Sequence, residues 1–342
     1  MGGDHGPSVV IPAVAEAATG LSREVRFLLH GDEVAIGAEL ARCRELASRT
    51  EVRHAERVVA MDEKPAQALR RGKGTSMWNA IEALREGRAT VALSAGNTGA
   101  LMAISKLILR MTADLDRPAL VANLPTPRGV TTFLDVGANV DCDAERLIEF
   151  AIMGEAFHRA AHGSPHPSVG LLNVGSEEMK GHEEVREAHR LLRERGYDLN
   201  YKGFVEGDDL TGGAIDVVVT DGFTGNVALK AMEGAARFIT DELKSALTSG
   251  VQATLGAVLA RPALQRFRDR LSPPSAAPLL GLNGMVLKCH GGSSAAEFAR
   301  AVRHAAELAR SDFAGEIERN MRRRPAAAAV VEPGPSAVEG GL

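Results

Sequence analysis

At 342 residues, 45% apolar and 25% charged, the chain carries enough apolar material for one large folded domain or two lobes. Its net charge of −4, with one Trp and two Tyr, excludes a general nucleic-acid surface, which needs basic patches and rings for stacking. Three scattered cysteines, Cys43, Cys142 and Cys289, argue against a disulfide frame or a CxxC metal site and fit reduced thiols in the cytoplasm; no signal segment or apolar run of about 18 residues points to secretion or membrane spanning.

The chain opens on the loop Met1-Gly2-Gly3-Asp4-His5-Gly6-Pro7, and residues 8–18 read as the helix after it. In an α/β protein such a loop normally follows a strand, so a strand is expected ahead of it. Residues 25–30 read as a strand, 33–47 as a helix and 52–54 as a short strand. Pro65–Arg71 and Ser76–Arg85 read as helices, with Ser76 a candidate N-cap.

Five apolar, largely β-branched runs then end at glycine-rich polar loops. Thr90-Val91-Ala92-Leu93 leads into Ser94-Ala95-Gly96-Asn97-Thr98-Gly99, and Thr131-Thr132-Phe133-Leu134 into Asp135-Val136-Gly137-Ala138-Asn139. Val169-Gly170-Leu171-Leu172 leads into Asn173-Val174-Gly175-Ser176-Glu177-Glu178. Ile215-Asp216-Val217-Val218-Val219 leads into Thr220-Asp221-Gly222-Phe223-Thr224-Gly225-Asn226, and Met285-Val286-Leu287 is followed by His290-Gly291-Gly292-Ser293-Ser294. Near-continuous apolar runs followed by helices are the pattern of parallel strands covered on both faces. Ligands of such sheets bind beyond the carboxyl ends of the strands. Glycine lets backbone N–H groups approach closely, and a following helix N-terminus favours negative charge. The expected site is therefore a cleft that holds an anion.

Between and after these runs, residues 144–162 and 183–195 read as helices, the second ended by Gly196. Residues 223–271 are long and helical, with Gly250 and Pro262 as breaks. Their middle, 251–264, is small and apolar, and their end carries Arg261, Arg266, Arg268 and Arg270. Ser272-Pro273-Pro274-Ser275 stops this stretch, and 297–310 form a last amphipathic helix. One large domain is expected over residues 1–320, with a helical protrusion at about 238–272 and a disordered tail at 321–342, whose 325–342 stretch is rich in Ala, Pro and Gly.

The motifs GxxxxGK[ST], GxGxxG after a strand, GxSxG, HExxH and H-x4-D are absent. The cleft has few titratable groups: Asp4, His5, Lys180, Asp221, Lys288 and His290. An activated alcohol would need a dyad or triad. Inorganic phosphate attacking a thioester would not, because phosphate is already anionic and a thiol with a pKa of about 8.5 leaves easily. The protein then supplies mainly positioning and charge stabilisation. Lys180 is either an ammonium for phosphate or the developing oxyanion, or a solvated lysine paired with Glu177 or Glu178. Asn226 is either a donor to the thioester carbonyl or an Asx-turn at the long helix, and Asn97 and Asn139 pose the same choice. His290 is a ligand or a satisfied buried histidine. Asp4 and His5 are candidates for binding pantetheine or phosphate, and Cys142 and Cys289 read as inert core thiols.

Together Met1-Gly2-Gly3-Asp4-His5-Gly6-Pro7, residues 94–100, Leu134-Asp135-Val136-Gly137-Ala138-Asn139-Val140-Asp141-Cys142, residues 172–181, Gly203-Phe204-Val205-Glu206-Gly207 and residues 220–227 resemble the bacterial acyl-acyl-carrier-protein:phosphate acyltransferases. The resemblance runs to about residue 310 with the motifs in family order. It implies a three-layer αβα fold with a mostly parallel sheet, like the isopropylmalate dehydrogenases and phosphotransacetylases, and a homodimer. It implies transfer of a fatty acyl group from acyl carrier protein to inorganic phosphate, toward phosphatidic acid and phospholipids, with no cofactor or metal. It implies catalytic roles for Lys180 and Asn226. The loops add Asp4, His5, Gly96, Asn97, Thr98, Asn139, Gly175, Asp221, Gly225 and His290 as candidates for substrate and phosphate.

The resemblance further implies a cytoplasmic protein held peripherally on the inner membrane face by the helical tip, where Val251, Leu255, Val258 and Leu259 are the contact candidates. A glycerol-3-phosphate acyltransferase at the membrane would use the product. Three alternatives remain: a phosphotransacetylase-type enzyme using acyl-coenzyme A, a nicotinamide-dependent decarboxylating dehydrogenase on a similar fold, and a non-catalytic scaffold for lipid enzymes. Five glycine loops at strand ends weigh against a scaffold, and the lack of a clustered acidic metal site weighs against the dehydrogenase.

Overall fold

Apolar runs rich in valine and leucine become strands here because both of their faces are covered by helices. The structure is a computed structural model that describes residues 2–113, 115–271 and 276–323. The first half runs α1 (Pro7–Thr19), β1 (Phe27–Gly31), α2 (Glu33–Leu40), α3 (Arg44–Ala47), β2 (Thr50–His54), α4 (Pro65–Arg71), α5 (Ser76–Arg85), β3 (Val91–Ser94), α6 (Thr98–Leu109), β4 (Ala119–Thr126) and β5 (Gly129–Leu134). Then come α7 (Ala144–His162), β6 (Ser168–Leu172), α8 (Glu183–Glu194), β7 (Asn200–Val205), α9 (Asp209–Gly212) and β8 (Val217–Val219). The last part is α10 (Gly222–Leu247), α11 (Val251–Leu259), α12 (Arg261–Leu271), β9 (Ala277–Leu280), β10 (Met285–Lys288), α13 (Ala295–Leu308) and α14 (Phe313–Arg322).

Eight strands form one sheet in the order β3-β10-β9-β4-β5-β8-β6-β7, and β1 pairs with β2 in a small parallel sheet. The fold is the expected α/β architecture with a mostly parallel sheet. Its main sheet, however, contains three antiparallel steps, from β10 to β9, β9 to β4 and β4 to β5. The parallel pair β3/β10 therefore runs opposite to the parallel group β5/β8/β6/β7.

Register decides the consequence. Leu134, the last residue of β5, lies opposite Val121 of β4. Leu120 of β4 lies opposite Leu279 of β9, so one further step sets Val121 beside Pro278, which faces Leu287 of β10. Strands β5 and β10 thus end within about one residue, ~3.4 Å, of the same level while running in opposite directions. The loops of the two groups meet in the middle of the sheet instead of lying along one edge.

The two faces alternate with the period of the strands. Val121, Leu134, Val217, Val219 and Leu287 pack with α1, α7, α8, α13 and α14, while Leu120, Ala122, Phe133, Val218 and Val286 pack with α5 and α6. Helix α7 is the most enclosed, buried from Leu147 through His158. Asp143 caps its start, and Gly163 ends it at φ 73°. By contrast, α10 buries only Gly222 and Gly225, and α11 buries nothing.

Several local expectations change. Thr75 caps α5 instead of Ser76: its hydroxyl accepts from the Trp78 N–H at 3.3 Å, and Ser76 is the first helical residue. The helix expected at 33–47 splits at Cys43 into α2 and α3. The break near Pro262 falls at Ala260, because proline fits the first turn of α12. Strands β4, β7 and β9 and helices α9 and α14 were not anticipated, and α14 extends to Arg322 because Met321 is packed against the core, moving the start of any tail beyond that residue. Ser272-Pro273-Pro274-Ser275 and the stretch 325–342 lie outside the described residues. Burial pushes the Cys142 and Cys289 thiols up to about 12, as suits inert core groups.

Inside this core, His158 of α7 places Nδ1 2.9 Å from Thr132 Oγ1 and Nε2 4.0 Å from Asp216 Oδ1. Burial lowers its pKa below the usual 6.5, and Asp216 partly opposes this. A histidine depressed in the folded state contributes fully above its unfolded pKa and loses that contribution as pH falls. Urea midpoints should therefore drop between pH 7 and pH 5, and less steeply in His158→Gln. Identical slopes in the two proteins would clear His158 of any part in acid sensitivity.

Candidate active site

The loop after β5 and the first turn of α10 are fastened together by Asp135. Its carboxylate, fully buried, accepts from the backbone N–H groups of Leu120 (3.0 Å), Ala138 (3.0 Å) and Asn139 (2.7 Å) and from Asn139 Nδ2 (2.9 Å). Burial raises its pKa, and these four donors work against that rise. The Asp135 N–H donates to the Thr220 carbonyl at 3.1 Å, the Thr220 N–H to Leu134 at 2.6 Å, and the Gly222 N–H to Asn139 at 2.7 Å. Gly225 completes the seam: a Cβ there would stand 1.9 Å from the Asp135 carbonyl oxygen. Asp221 caps α10 by accepting from the Thr224 N–H at 2.8 Å.

This seam presents Asn226. A Cβ on Gly137 would lie 3.6 Å from Asn226 Oδ1, so the exposed amide stands over the bare Gly137 backbone. Among the described residues no hydrogen bond engages that amide. One turn further along α10, on the same face, is Lys230. Its Nζ lies 3.2 Å from His290 Nε2 and 2.6 Å from Glu233 Oε2. Helix α10 therefore spans from the end of β5 to the end of β10.

At that second end the Asp4 N–H donates to the Gly291 carbonyl at 3.0 Å, and a Cβ on Gly292 would lie 3.2 Å from Asp4 Oδ2. Gly96 stacks beside Gly2, where a Cβ would sit 3.5 Å from the Gly96 nitrogen. Lys288 is buried and its ammonium bonds the Cys289 carbonyl. Burial pulls its pKa down, Asp4 opposes this, and Lys230 adds to it. The His5 side chain is exposed, and its carbonyl accepts from Ser8 Oγ at 2.9 Å.

Lys180 stands on the loop after β6, the strand next to β8, which leads to Asn226. Its aliphatic stem runs over Gly175, where a Cβ would be 2.7 Å from Lys180 Cδ, and its half-exposed ammonium pairs with Glu177 Oε1 at 3.1 Å. Asn173 Nδ2 holds the loop by donating to the Gly175 and Lys180 carbonyls at 3.2 and 3.0 Å.

Two candidates are spent on structure. Asn97 caps α6 through the Ala100 N–H at 3.0 Å and donates to the carbonyls of Ala60, Met61 and Glu63 at 3.3, 2.8 and 2.9 Å. Asn139, 2% exposed, donates to Pro118 and Asp135. Neither amide faces the cleft, so both act as clamps, as does the capping Asp221. Thr98 follows Asn97 as the half-buried first residue of α6. Sequence reasoning passed over Lys230, although it counted Lys288 among the titratable groups of the cleft. The four-residue spacing from Asn226 to Lys230 was the available signal.

Because a carbonyl oxygen cannot retreat as a side-chain tip can, Gly225→Ala should cost about 1–3 kcal/mol through overpacking. It should lower the midpoint of thermal or urea unfolding; an unchanged midpoint would show that the seam tolerates a methyl group.

Comparison with known proteins bears on the family and on the fold. The family model described as "Fatty acid synthesis protein" matches residues 1–316. The phosphate acyltransferase of Phenylobacterium zucineum is 76% identical over 98% of this chain and 96% of its own length. That of Caulobacter vibrioides is 63% identical over 98% and 93%. Among solved structures, a phosphotransacetylase from Streptococcus pyogenes superposes with a TM-score of 0.59 at 18% identity, covering 89% of this chain and 92% of that one. The EutD phosphotransacetylase from Staphylococcus aureus gives 0.56 at 16%, covering 88% and 91%. These two likenesses concern the fold alone. By its sequence the chain belongs to the fatty acid synthesis protein family, that of the phosphate acyltransferases, and is an acyltransferase.

Proposed function

We propose that this protein moves a fatty acyl group from acyl carrier protein to inorganic phosphate, giving acyl-phosphate for phosphatidic acid and phospholipid synthesis. The observation that carries this reading is the unbonded amide of Asn226, held over bare Gly137 where the two groups of strand ends meet. Lys180 follows the neighbouring strand. The names of the curated relatives support phosphate as the acceptor.

In this reading Lys180 and the backbone around Gly175, Gly96 and Gly225 steady phosphate, with Asp4, His5, Thr98 and His290 on the rim. The amide N–H of Asn226 receives the thioester oxygen. A phosphate oxygen attacks the carbonyl carbon, negative charge gathers on the oxygen beside Asn226, and the C–S bond breaks with its electron pair leaving on sulfur. The proton of HPO₄²⁻ ends on the departing thiol. No acyl-enzyme is needed, because the nucleophile arrives ionised. A single well-aimed oxyanion donor is worth roughly 3 kcal/mol.

The same reading covers location and partners. The side chains of Val251, Leu255, Val258 and Leu259 on α11 are exposed, and Arg261, Arg266, Arg268 and Arg270 follow on α12. An apolar face beside basic residues suits an anionic lipid surface, here the inner face of the cell membrane, and the basic residues suit an acidic carrier protein. Val227, Phe238 and Ile239 on the unburied part of α10 suit contact with a second copy, giving a homodimer. Delivery of the product to a glycerol-3-phosphate acyltransferase would follow at the membrane. Among the described residues no helix is long and apolar enough to cross a membrane.

Incubation with palmitoyl-carrier-protein and labelled phosphate should give a hydroxylamine-sensitive acyl product. Asn226→Ala should lower kcat by about a hundredfold or more, and Lys180→Ala should impair the same reaction. Near-normal turnover in both variants would remove the assignment, and efficient use of palmitoyl-coenzyme A instead would favour the phosphotransacetylase alternative. A triple change of Val251, Leu255 and Leu259 to Ser should abolish flotation with anionic liposomes at low salt. Retained flotation would place lipid contact elsewhere.

A further inference from the structure

We propose that Lys230 and His290 form a second anion half-site, which grips a phosphoryl group on the β10 side of the cleft opposite Lys180. The inference rests on the acyl-phosphate reading above and adds the side chains that select its anionic substrate.

The geometry begins with an awkward pair. An ammonium only donates, so in the 3.2 Å contact with Lys230 Nζ the His290 Nε2 takes the acceptor role. An ammonium and an imidazole nitrogen are thus brought together on an exposed surface, with Glu233, among the described residues, the carboxylate bonded to Lys230. A phosphoryl oxygen between them would take a charge-assisted bond from Lys230, and His290, with its ring proton moved from Nδ1 to Nε2, would be a second donor. Lys288 lies behind them, buried at the end of β10 and within electrostatic reach of Lys230.

The surroundings suit the same ligand. Gly291 and Gly292 follow His290 and leave the backbone open to close approach. Helix α13 begins just beyond them behind the Ser294–Glu297 capping box. Asn226 shares the helix face of Lys230, which sets the oxyanion donor and the new half-site about one turn, ~6 Å, apart. That spacing suits an acyl carbon held at one point and a phosphoryl group at the other. The phosphoryl group has two chemical sources: inorganic phosphate as the nucleophile, or the phosphodiester of the carrier's pantetheine arm.

The test uses full-length protein and two readouts. Thermal unfolding of the wild type without acyl donor should shift upward with inorganic phosphate, and Lys230→Met and His290→Gln should lose most of that shift while keeping the phosphate-free midpoint. In steady-state assays with palmitoyl-carrier-protein, Lys230→Met should raise the KM for phosphate about tenfold, as loss of one charge-assisted bond predicts. Lys230→Arg should recover most of the loss, and Lys73→Met, a surface control, should change nothing. A raised KM for the carrier alone, with phosphate binding intact, would assign the half-site to the phosphodiester. If neither KM and neither phosphate shift responds to Lys230→Met or His290→Gln, the half-site is refuted. Because the thermal shift needs no turnover, it tests the half-site even if wild-type protein makes no acyl-phosphate.

Discussion

One buried carboxylate holds the candidate site in shape. Removing an ionised group from water is costly unless donors replace the lost hydration. Asp135 recovers it from four N–H groups that belong to the start of β4 and to its own loop. Its main chain and that of Asn139 then bond to the residues that start α10. Shifting any of these segments would strand a donor or an acceptor away from water, so they keep one arrangement. Asn226 inherits its place from that constraint, although among the described residues its side-chain amide makes no hydrogen bond of its own.

The second constraint is the reversal of strand direction across β9 and β4. An all-parallel sheet would string its loops along an edge, each facing outward to its own helix. Here two oppositely directed groups end at one level, and a single long helix leaves one group and passes over the other. Residues a turn apart on α10 thereby face loops that are distant in sequence, Gly137 beside Asn226 and His290 beside Lys230. The cleft needs few titratable side chains because backbone and helix placement perform the positioning. That economy suits a reaction whose nucleophile is already charged.

Beyond its first turn α10 is almost unburied, and α11 presents apolar side chains to the outside. One continuous element thus joins the interior seam to a surface suited to lipid or a second chain. Binding at the outer part would act on the same helix that carries Asn226 and Lys230.

The sequence by itself determined the strand ends, the glycine loops and most helices, because these depend on local periodicity, capping and the unique backbone freedom of glycine. Helix α7, for example, begins and ends where Asp143 and Gly163 require. The resemblance of its motifs also disclosed the family. Only the tertiary structure decided what lay between distant segments. Strand β4 contains Pro125 and Asn123 and looks like no strand until β5 and β9 pair with it. Asn97 and Asn139 could be read either as ligands or as local caps, and their amides are consumed by carbonyls 34 to 37 and 21 residues away. Lys230 had only its four-residue spacing from Asn226 as a signal until the fold set its helix over His290. Pairing, register and the satisfaction of buried polar groups are contacts between remote parts of the chain, and local pattern does not encode them.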